Sequence, residues 1–576
     1  MNEWKSIVGR TIRVCAILAS SCGLIACSAD GMPSAEEAAG AAQPLYYVPS
    51  HLWSHKIINV CWEPLGRDGE NNQGGFGNEK SIIQTLLKGQ RSWQDAGRVT
   101  FTGFGMCAPG DKGIRITFGA LSFTGTSGPT FISGEGQTND GAVMMLRTFS
   151  NHVEDNCVGM NPPLSATECF QHDVLHEFGH ALGLAHEFDR PDKPAACTVS
   201  PDSSTTATTT YGPFDVDTIM DYQGGTCHQN DNLSPLDRRG VSRMYGSPES
   251  DGQRLGDYNG DHYADLYCYD PIPVTGPQPR HIDYGDSNEQ YSGANSHWFV
   301  SNWCSHETGK IYKGDFNGDH FTDLLCHDIR TGENWIDYGA ATGDVGTTTD
   351  WHGANWWCSH DTGSLYIGDF NGDGHDDLLC ADTANGTRWI DYADANGQFA
   401  GTDWYSTSPW CAGPTSRLYV GKFNADRWAD LLCHNLETGT RYLDYADENG
   451  HFGATDWSAS DYWCGHPAGE LHIGDFNGDH QDDLLCHDTV DGRKWIDYAD
   501  AYGQFTGTDW YSAMYWCYTS VARLMIGDTN YDGKDDLVCH YITGQMWVSH
   551  ADQYGHFAGT DWYRSTPNCT GDSLLR

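Results

Sequence analysis

Basic residues are scarce in this chain, and so are apolar runs long enough to cross a bilayer. Lys and Arg number 33 against 78 Asp and Glu, a formal net charge of −45. Like charge repels phosphate backbones and anionic headgroups, which sets aside nucleic acid and an anionic membrane surface as partners. After Ala26 no stretch has the roughly 20 apolar residues of a transmembrane helix, so the rest of the chain is expected to be exported. Cysteine is plentiful. The 21 cysteines recur at regular intervals, the pattern of structural disulfides formed in an oxidising compartment. At 576 residues the chain is too long for one core, and two or more domains are expected.

The N-terminus agrees with export. Lys5, Arg10 and Arg13 precede an apolar run, Val14 to Ala26, too short to span a bilayer as a mature helix. Residues 1–27 therefore read as a signal peptide. Leu24-Ile25-Ala26-Cys27 resembles the bacterial lipobox, in which the cysteine is acylated and begins the mature chain. The alternative is an ordinary secretion signal cleaved a little later. A lipid on Cys27 would be the only membrane attachment, either retained in the cell envelope or lost on release. Residues 28–50, rich in Ala, Ser, Glu and Gly, read as a flexible tether or pro-segment.

The chemistry concentrates between His176 and Asp192, HEFGHALGLAHEFDRPD. His176 and His180 are four apart, so on a helix they project from one face and can share a metal ion. Glu177 stands between them, placed to take a proton from water that the ion has polarised. Gly183 can end the helix in a left-handed turn, after which His186 returns as third ligand. Three protein ligands and an open fourth position are the arrangement of catalytic rather than structural zinc.

HExxHxxGxxH is the extended motif of the metzincins, and at these residues the chain resembles that clan of zinc endopeptidases, within it the astacin family. Glu187 after the third histidine fits the astacin pattern, Arg190 and Asp192 more loosely. Thr218-Ile219-Met220-Asp221-Tyr222 matches the Met-turn, with Asp221 where that family usually has histidine, and Phe188 also departs from it. The resemblance implies that Met220 floors the three imidazoles, that Tyr222 is a displaceable ligand stabilising the oxyanion, and that Glu187 binds a freed amino terminus. A cleavage near Ala41 to Tyr47 would then both activate the enzyme and release it.

The resemblance covers residues 51–246, an α+β zinc metallopeptidase domain. Its expected strands are Lys56 to Trp62, Val99 to Phe104, Ile114 to Phe118 and Ala142 to Leu146. One amphipathic helix is expected over Glu79 to Ala96 and another over Ser234 to Tyr245, with Ser234 as N-cap. Cys61, Cys107, Cys157, Cys169, Cys197 and Cys227 permit three disulfides in any of fifteen pairings, although Cys107 could instead hold the zinc as a thiolate in a latent form.

A short linker, residues 247–253, leads into six repeats over residues 254–576. Each reads GDFNGDxxxDLLC, then W-I-D-Y, GTDW and W-C. They start at Asp257, Asp315, Asp369, Lys422, Asp475 and Asp528, settling to a period of 53. Short strands between Gly and Asp turns suggest one four-stranded blade per repeat. These units resemble FG-GAP/VCBS repeats, which implies an all-β six-bladed propeller behind the metzincin-like domain.

Oxygen side chains at loop positions 1, 3, 5 and 9 have calcium spacing. The sets are Asp257, Asn259, Asp261, Asp265; Asp315, Asn317, Asp319, Asp323; Asp369, Asn371, Asp373, Asp377; Asp475, Asn477, Asp479, Asp483; and Asp528, Asn530, Asp532, Asp536. In the fourth repeat Lys422 replaces the first carboxylate beside Asn424, Asp426 and Asp430, and is expected to pair with those two acids in place of a cation. About five structural calcium ions and one catalytic zinc ion are therefore expected.

Five cysteine pairs share a spacing of 22, which suggests Cys304–Cys326, Cys358–Cys380, Cys411–Cys433, Cys464–Cys486 and Cys517–Cys539. Cys268 and Cys569 are left, and in a closed ring they would make the sixth equivalent bond. Trp335, Trp389, Trp495 and Trp547 of the W-I-D-Y strand, and Trp351, Trp404, Trp457, Trp510 and Trp562 after TD, fit packing between blades or, as a second reading, sugar stacking. The expected function is an exported, monomeric zinc metalloendopeptidase acting on protein and peptide substrates, its propeller attaching it to substrate, glycan or a cell surface. The alternative is a surface adhesin or lectin whose propeller is the working part.

Overall fold

The structure is a computed structural model. Between Tyr46 and Leu575 it describes the chain except residues 64–76, 90–91, 120–122, 127–131, 134–140, 148–164, 201–206, 208, 211–213, 222–231, 246–253, 270–277, 288–290, 292–295, 355, 414, 467, 519–521, 542 and 565–573. The leader with Cys27, most of the tether, Tyr222, Cys157, Cys227 and Cys569 lie outside the described residues. No helix among the described residues is long and apolar enough to cross a membrane.

The N-terminal part is built on a six-stranded sheet in the order Thr100–Met106, Ile57–Trp62, Gly113–Gly119, Gly141–Arg147, Phe123–Thr126, Ile132–Ser133. The first four strands are parallel, and Phe123–Thr126 turns back antiparallel along Gly141–Arg147. The last two strands of that order had no counterpart in the expected set. Ile58, Val60, Phe101, Ile114, Ile116, Phe118 and Met144 are buried with Phe170, Val174 and Phe178 of the helix Ala166–Ala181 in one apolar core. This helix is thereby fixed against the sheet, and its polar face is left for chemistry.

Two sequence expectations are corrected here. The helix expected over Glu79 to Ala96 is two pieces, Gly77–Lys88 and Trp93–Ala96. Gly89 is a poor helix former, and Ser92 restarts the chain as an N-cap, its hydroxyl accepting from Asp95 N at 3.2 Å. The break turns Trp93 into the core, where its indole donates to Leu175 O at 2.7 Å. Residues 46–50, expected to end the tether, belong to the fold: Tyr46–Tyr47 pairs with Thr209–Thr210, and Tyr47 bridges Leu184.

Residues 254–575 form a six-bladed β-propeller of four-stranded antiparallel sheets. Each sheet runs in chain order except the first, which takes Leu574–Leu575 from the C-terminus. Leu574 and Leu575 pair with Tyr269 and Cys268, while Gly256 bridges Asp265, so both ends of the array complete one blade. Closure also shows in a bond repeated at every junction. Thr322 N, Asp376 N, Ala429 N, Asp482 N, Asp535 N and Ala264 N each donate to the first loop residue of the preceding repeat, at 2.7–2.8 Å. Cys304–Cys326, Cys358–Cys380, Cys411–Cys433, Cys464–Cys486 and Cys517–Cys539 are bonded, with Cα separations of 5.4–5.6 Å. Cys268 is also disulfide-bonded.

Buried ion pairs join neighbouring blades. Arg388 meets Asp444 at 3.2 Å and Arg441 meets Asp497 at 2.6 Å, all four side chains almost fully buried. The last blade carries Met546 where these have arginine, and Arg564 from its outer strand reaches Asp283 of the first blade instead, at 2.5 Å.

The α+β part is bonded to the propeller. Lys88 pairs with Glu307 at 3.2 Å, Arg330 donates to Thr102 Oγ1 at 3.1 Å, and Arg98 to Thr383 Oγ1 at 3.2 Å and Asp361 O at 3.0 Å. Asp95 accepts from Arg238 of its own part and from Arg523 of the sixth blade. Burial alone would raise the Asp95 carboxyl, but the two guanidiniums hold it below its ordinary value.

Candidate metal centre

The helix Ala166–Ala181 starts at a capping box. Ser165 Oγ accepts from Glu168 N at 3.3 Å, and Glu168 Oε2 accepts from Ser165 N at 2.7 Å. Four residues apart near its C-terminal end, His176 and His180 share a face. The helix stops at Ala181, and Gly183, at φ +100°, takes the left-handed turn that reverses the chain. A Cβ there would also come within 3.0 Å of Leu52 Cδ2. Leu184 and Ala185 then run beside Tyr46 to Val48, and His186 folds back over the helix.

The three imidazoles converge. His186 Nε2 is 3.2 Å from His176 Nε2 and 3.2 Å from His180 Nε2. Two ligands about 2.0–2.1 Å from one tetrahedral ion stand roughly 3.3 Å apart, so the spacing fits a shared ion such as zinc. The outer nitrogens fix the tautomers: His176 Nδ1 donates to Ile219 O at 2.8 Å and His180 Nδ1 to Leu184 O at 2.7 Å. A carbonyl can only accept, so the protons sit on Nδ1 and the Nε2 lone pairs face one another. Burial, with His180 and His186 facing it, holds the His176 imidazole well below its ordinary range and so keeps it in the neutral, ligating form. Glu177 is buried beside them.

Met220 lies beneath this centre. A Cβ added to Gly179, between the two helical histidines, would fall 2.3 Å from Met220 Sδ and 2.9 Å from Trp93 Cζ2. Only a glycine admits the thioether and indole so close to the helix.

Asp237 holds the turn bearing Met220. Its carboxylate accepts from Thr218 Oγ1 at 2.5 Å, Ile219 N at 2.9 Å and Ser234 N at 2.9 Å. Thr218 Oγ1 in turn accepts from Met220 N at 3.0 Å. Asp237 therefore positions both Met220 and the carbonyl that orients His176. It stands three residues after Ser234, whose hydroxyl accepts from Asp237 N at 2.8 Å and donates to Asp215 at 2.5 Å. The S-P-L-D spacing of a reciprocal helix cap was the signal that could have found Asp237.

Glu187 is fully buried. Its Oε1 accepts from Arg190 Nη1 at 2.9 Å and Asp215 N at 3.1 Å, and desolvation drives the carboxyl well above its ordinary value. Arg190 also grips Asp192 at 2.8 Å. Cys107 is bonded to Cys61, with a Cα separation of 5.0 Å, so it offers no thiolate to the ion. Cys169 and Cys197 are each disulfide-bonded.

The repeat loops link positions 1, 3 and 5 closely. In the second repeat Asp315 Oδ1 and Asn317 Oδ1 both accept from Asp319 N at 3.0 Å. The position-9 acid turns into the blade: Asp323 is fully buried and accepts from Phe316 N at 2.9 Å and Gly339 N at 2.6 Å. Asp265, Asp377, Asp483 and Asp536 repeat both bonds. Burial pushes Asp323 up to about 8 and Asp483 up to about 9, with the other loop acids adding to the rise. Lys422 makes no ion pair with Asp426 or Asp430, and its charge bears instead on Asp369 and Asp376 of the preceding blade. The expected pairing is corrected: Lys422 acts electrostatically on acids across the junction and forms no ion pair with those of its own loop. Trp351, Trp404, Trp457 and Trp510 pack edge-on against Phe399, Phe452, Phe505 and Phe557 of the following repeat, the packing reading of these tryptophans.

Residues 369–433 match the FG-GAP-like repeat family. This stretch runs from the third loop through the Lys422 loop to Cys433. Among solved structures, an Agrocybe aegerita lectin described for recognition of non-reducing terminal N-acetylglucosamine is 13% identical over 58% of this chain and 87% of its own, at a TM-score of 0.40. Myroilysin is 21% identical over 35% of this chain and 98% of its own, at a TM-score of 0.25. A Lactobacillus plantarum protein is 11% identical over 57% of this chain and 89% of its own, at a TM-score of 0.35. No curated protein matches the chain.

Proposed function

We propose that the chain is a zinc-dependent metalloendopeptidase of metzincin, astacin-like type, carried on a calcium-binding propeller. The observation that supports this best is the meeting of three Nε2 atoms at 3.2 Å with two of their Nδ1 protons pinned to carbonyls. His176, His180 and His186 would hold the zinc, which supplies Lewis acidity for the scissile carbonyl and the attacking water. Glu177 takes the proton of that water and returns it to the leaving amine. Tyr222 donates to the oxyanion, and Met220 keeps the imidazoles from sinking into the core. Five repeat loops hold calcium, and the propeller presents substrate or attaches the enzyme to a surface. Structural disulfides indicate an exported protein. Cys27 is proposed as its lipid anchor before release.

The test is Glu177→Gln in the full chain. Zinc content and thermal stability should match the parent, while casein hydrolysis falls at least 100-fold. A variant that cleaves casein at the parental rate would show that another group is the base.

The lectin reading has one observation in its favour. Trp298 is 64% exposed and stacked on His281 at 4.0 Å, and Trp356 is 72% exposed, both outside the packed series of the repeat. Glycan-array binding by the full chain, lost in Trp298→Ala, would support it.

A further inference from the structure

The fifth blade departs from its neighbours on its inner strand. On the inner strand Gly469–Gly474, position four is His472 where the second, third and fourth blades have Tyr312, Tyr366 and Tyr419. Two residues earlier stands Glu470, where the same blades carry Lys310, Ser364 and Arg417. Glu470 is the cross-strand partner of His487, and His472 lies two residues along, so all three side chains share one face of the blade. That face is turned toward the sixth blade, where Leu485 of the same set packs beside Leu524 and Ile526.

Both histidines are deeply buried, His472 at 1% and His487 at 2% exposure. None of their four ring nitrogens makes a hydrogen bond of ordinary geometry, although the Cys517 backbone lies close enough to act on His487. Equivalent histidines elsewhere are provided for: His327 Nδ1 has Asn334 Oδ1 at 2.7 Å, and His434 Nε2 has Trp463 O at 3.2 Å. One donor atom from each of Glu470, His472 and His487 falls within 4.8 Å of the other two, with His472 Nε2 3.8 Å from Glu470 Oε2. The adjacent cation, Lys494, is drawn aside by Trp516 O at 2.7 Å and Gly492 O at 2.9 Å. Two imidazoles and a carboxylate are donors for a divalent transition ion rather than calcium.

We infer that Glu470, His472 and His487 form a second transition-metal site, binding zinc between the fifth and sixth blades. The ion would coordinate ring nitrogens that make no hydrogen bond of ordinary geometry and tie the two inner strands of the fifth blade. The neighbouring trio Cys464, His466 and Cys486 is no competitor, because its two cysteines are bonded to each other.

The test uses substitutions that the array itself contains. His472→Tyr restores the residue of three other blades, and His487→Ala copies Ala381 of the third, so both side chains are compatible with a folded blade. Full-length parent and variants are equilibrated with zinc, desalted and analysed for metal, with cobalt(II) absorption as a second readout. Each variant should hold one zinc fewer per chain than the parent, two falling to one, with casein hydrolysis unchanged. Because the result is a difference, it stands even if the centre at His176 proves empty, when one would fall to zero. Equal zinc in parent and both variants, or loss that does not depend on either histidine, would overturn the proposal.

Discussion

Adding one methyl group at Gly179 tests the geometry beneath the imidazoles, because two opposing effects meet there. In a helix interior Ala is about 1 kcal/mol more favourable than Gly. The new Cβ, however, would stand 2.3 Å from Met220 Sδ and 2.9 Å from Trp93 Cζ2, where ordinary contacts are about 3.5–4.0 Å. Neither neighbour retreats freely. Trp93 is buried with its indole bonded to Leu175 O at 2.7 Å, and Met220 is anchored through its own N at 3.0 Å to Thr218 and its O at 3.0 Å to Glu187 N. Overpacking of this kind costs about 1–3 kcal/mol, so the clash outweighs the propensity gain and Gly179→Ala should be less stable by about 1 kcal/mol. Activity should suffer more. The displacement falls between His176 and His180, and a shift of about 1 Å in a catalytic constellation can cost roughly 100-fold. Urea unfolding and casein hydrolysis of the full chain measure the two effects separately. A Gly179→Ala protein that is stabilised by about 1 kcal/mol and cleaves at the parental rate would refute the packing argument.

Other consequences follow from particular contacts. Arg441→Met leaves Asp497 buried without its cation and should destabilise by about 3–5 kcal/mol, whereas adding Asp497→Ser, the residue the last blade has as Ser549, should recover most of that in a double-mutant cycle. Asp215 is pushed up to about 7 by burial and by neighbouring Asp237, so the folded protein retains a proton that the unfolded chain, with a carboxyl near 3.9, releases. Its contribution to stability is complete below about pH 4 and is lost as pH rises to about 7, so the urea midpoint should fall between about pH 4 and 7 and level off above, and Asp215→Asn should flatten that slope. Removing calcium should lower the melting temperature of the propeller, and re-addition should titrate five sites per chain, with no metal beside Asn424; an equal sixth site would contradict the reading of the Lys422 loop.

Local chemistry was legible because it is written in short spacings. The HExxH interval is one helical turn, so the placing of His176 and His180 on one face follows from the period of the helix alone. The 22-residue cysteine interval is one blade hairpin and its approach, so it identifies bonded pairs without coordinates. The pairing expected of Lys422 is not found because a sequence shows only the loop to which a side chain belongs, while its charge also acts on acids of the blade before.

The sequence by itself marked His176, His180 and His186 as residues that could share an ion, and determined how many blades there are and which cysteines pair within five of them, since each is a matter of period along one chain. Only the tertiary structure decided what stands behind those residues. Asp237 is 61 residues beyond His176, yet it fixes the carbonyl that orients that ring, and the two ends of the repeat array meet in one blade through hydrogen bonds between residues over three hundred apart in sequence. Contacts of that range depend on how helices and blades pack, and packing is set by the summed burial of many side chains rather than by any local pattern.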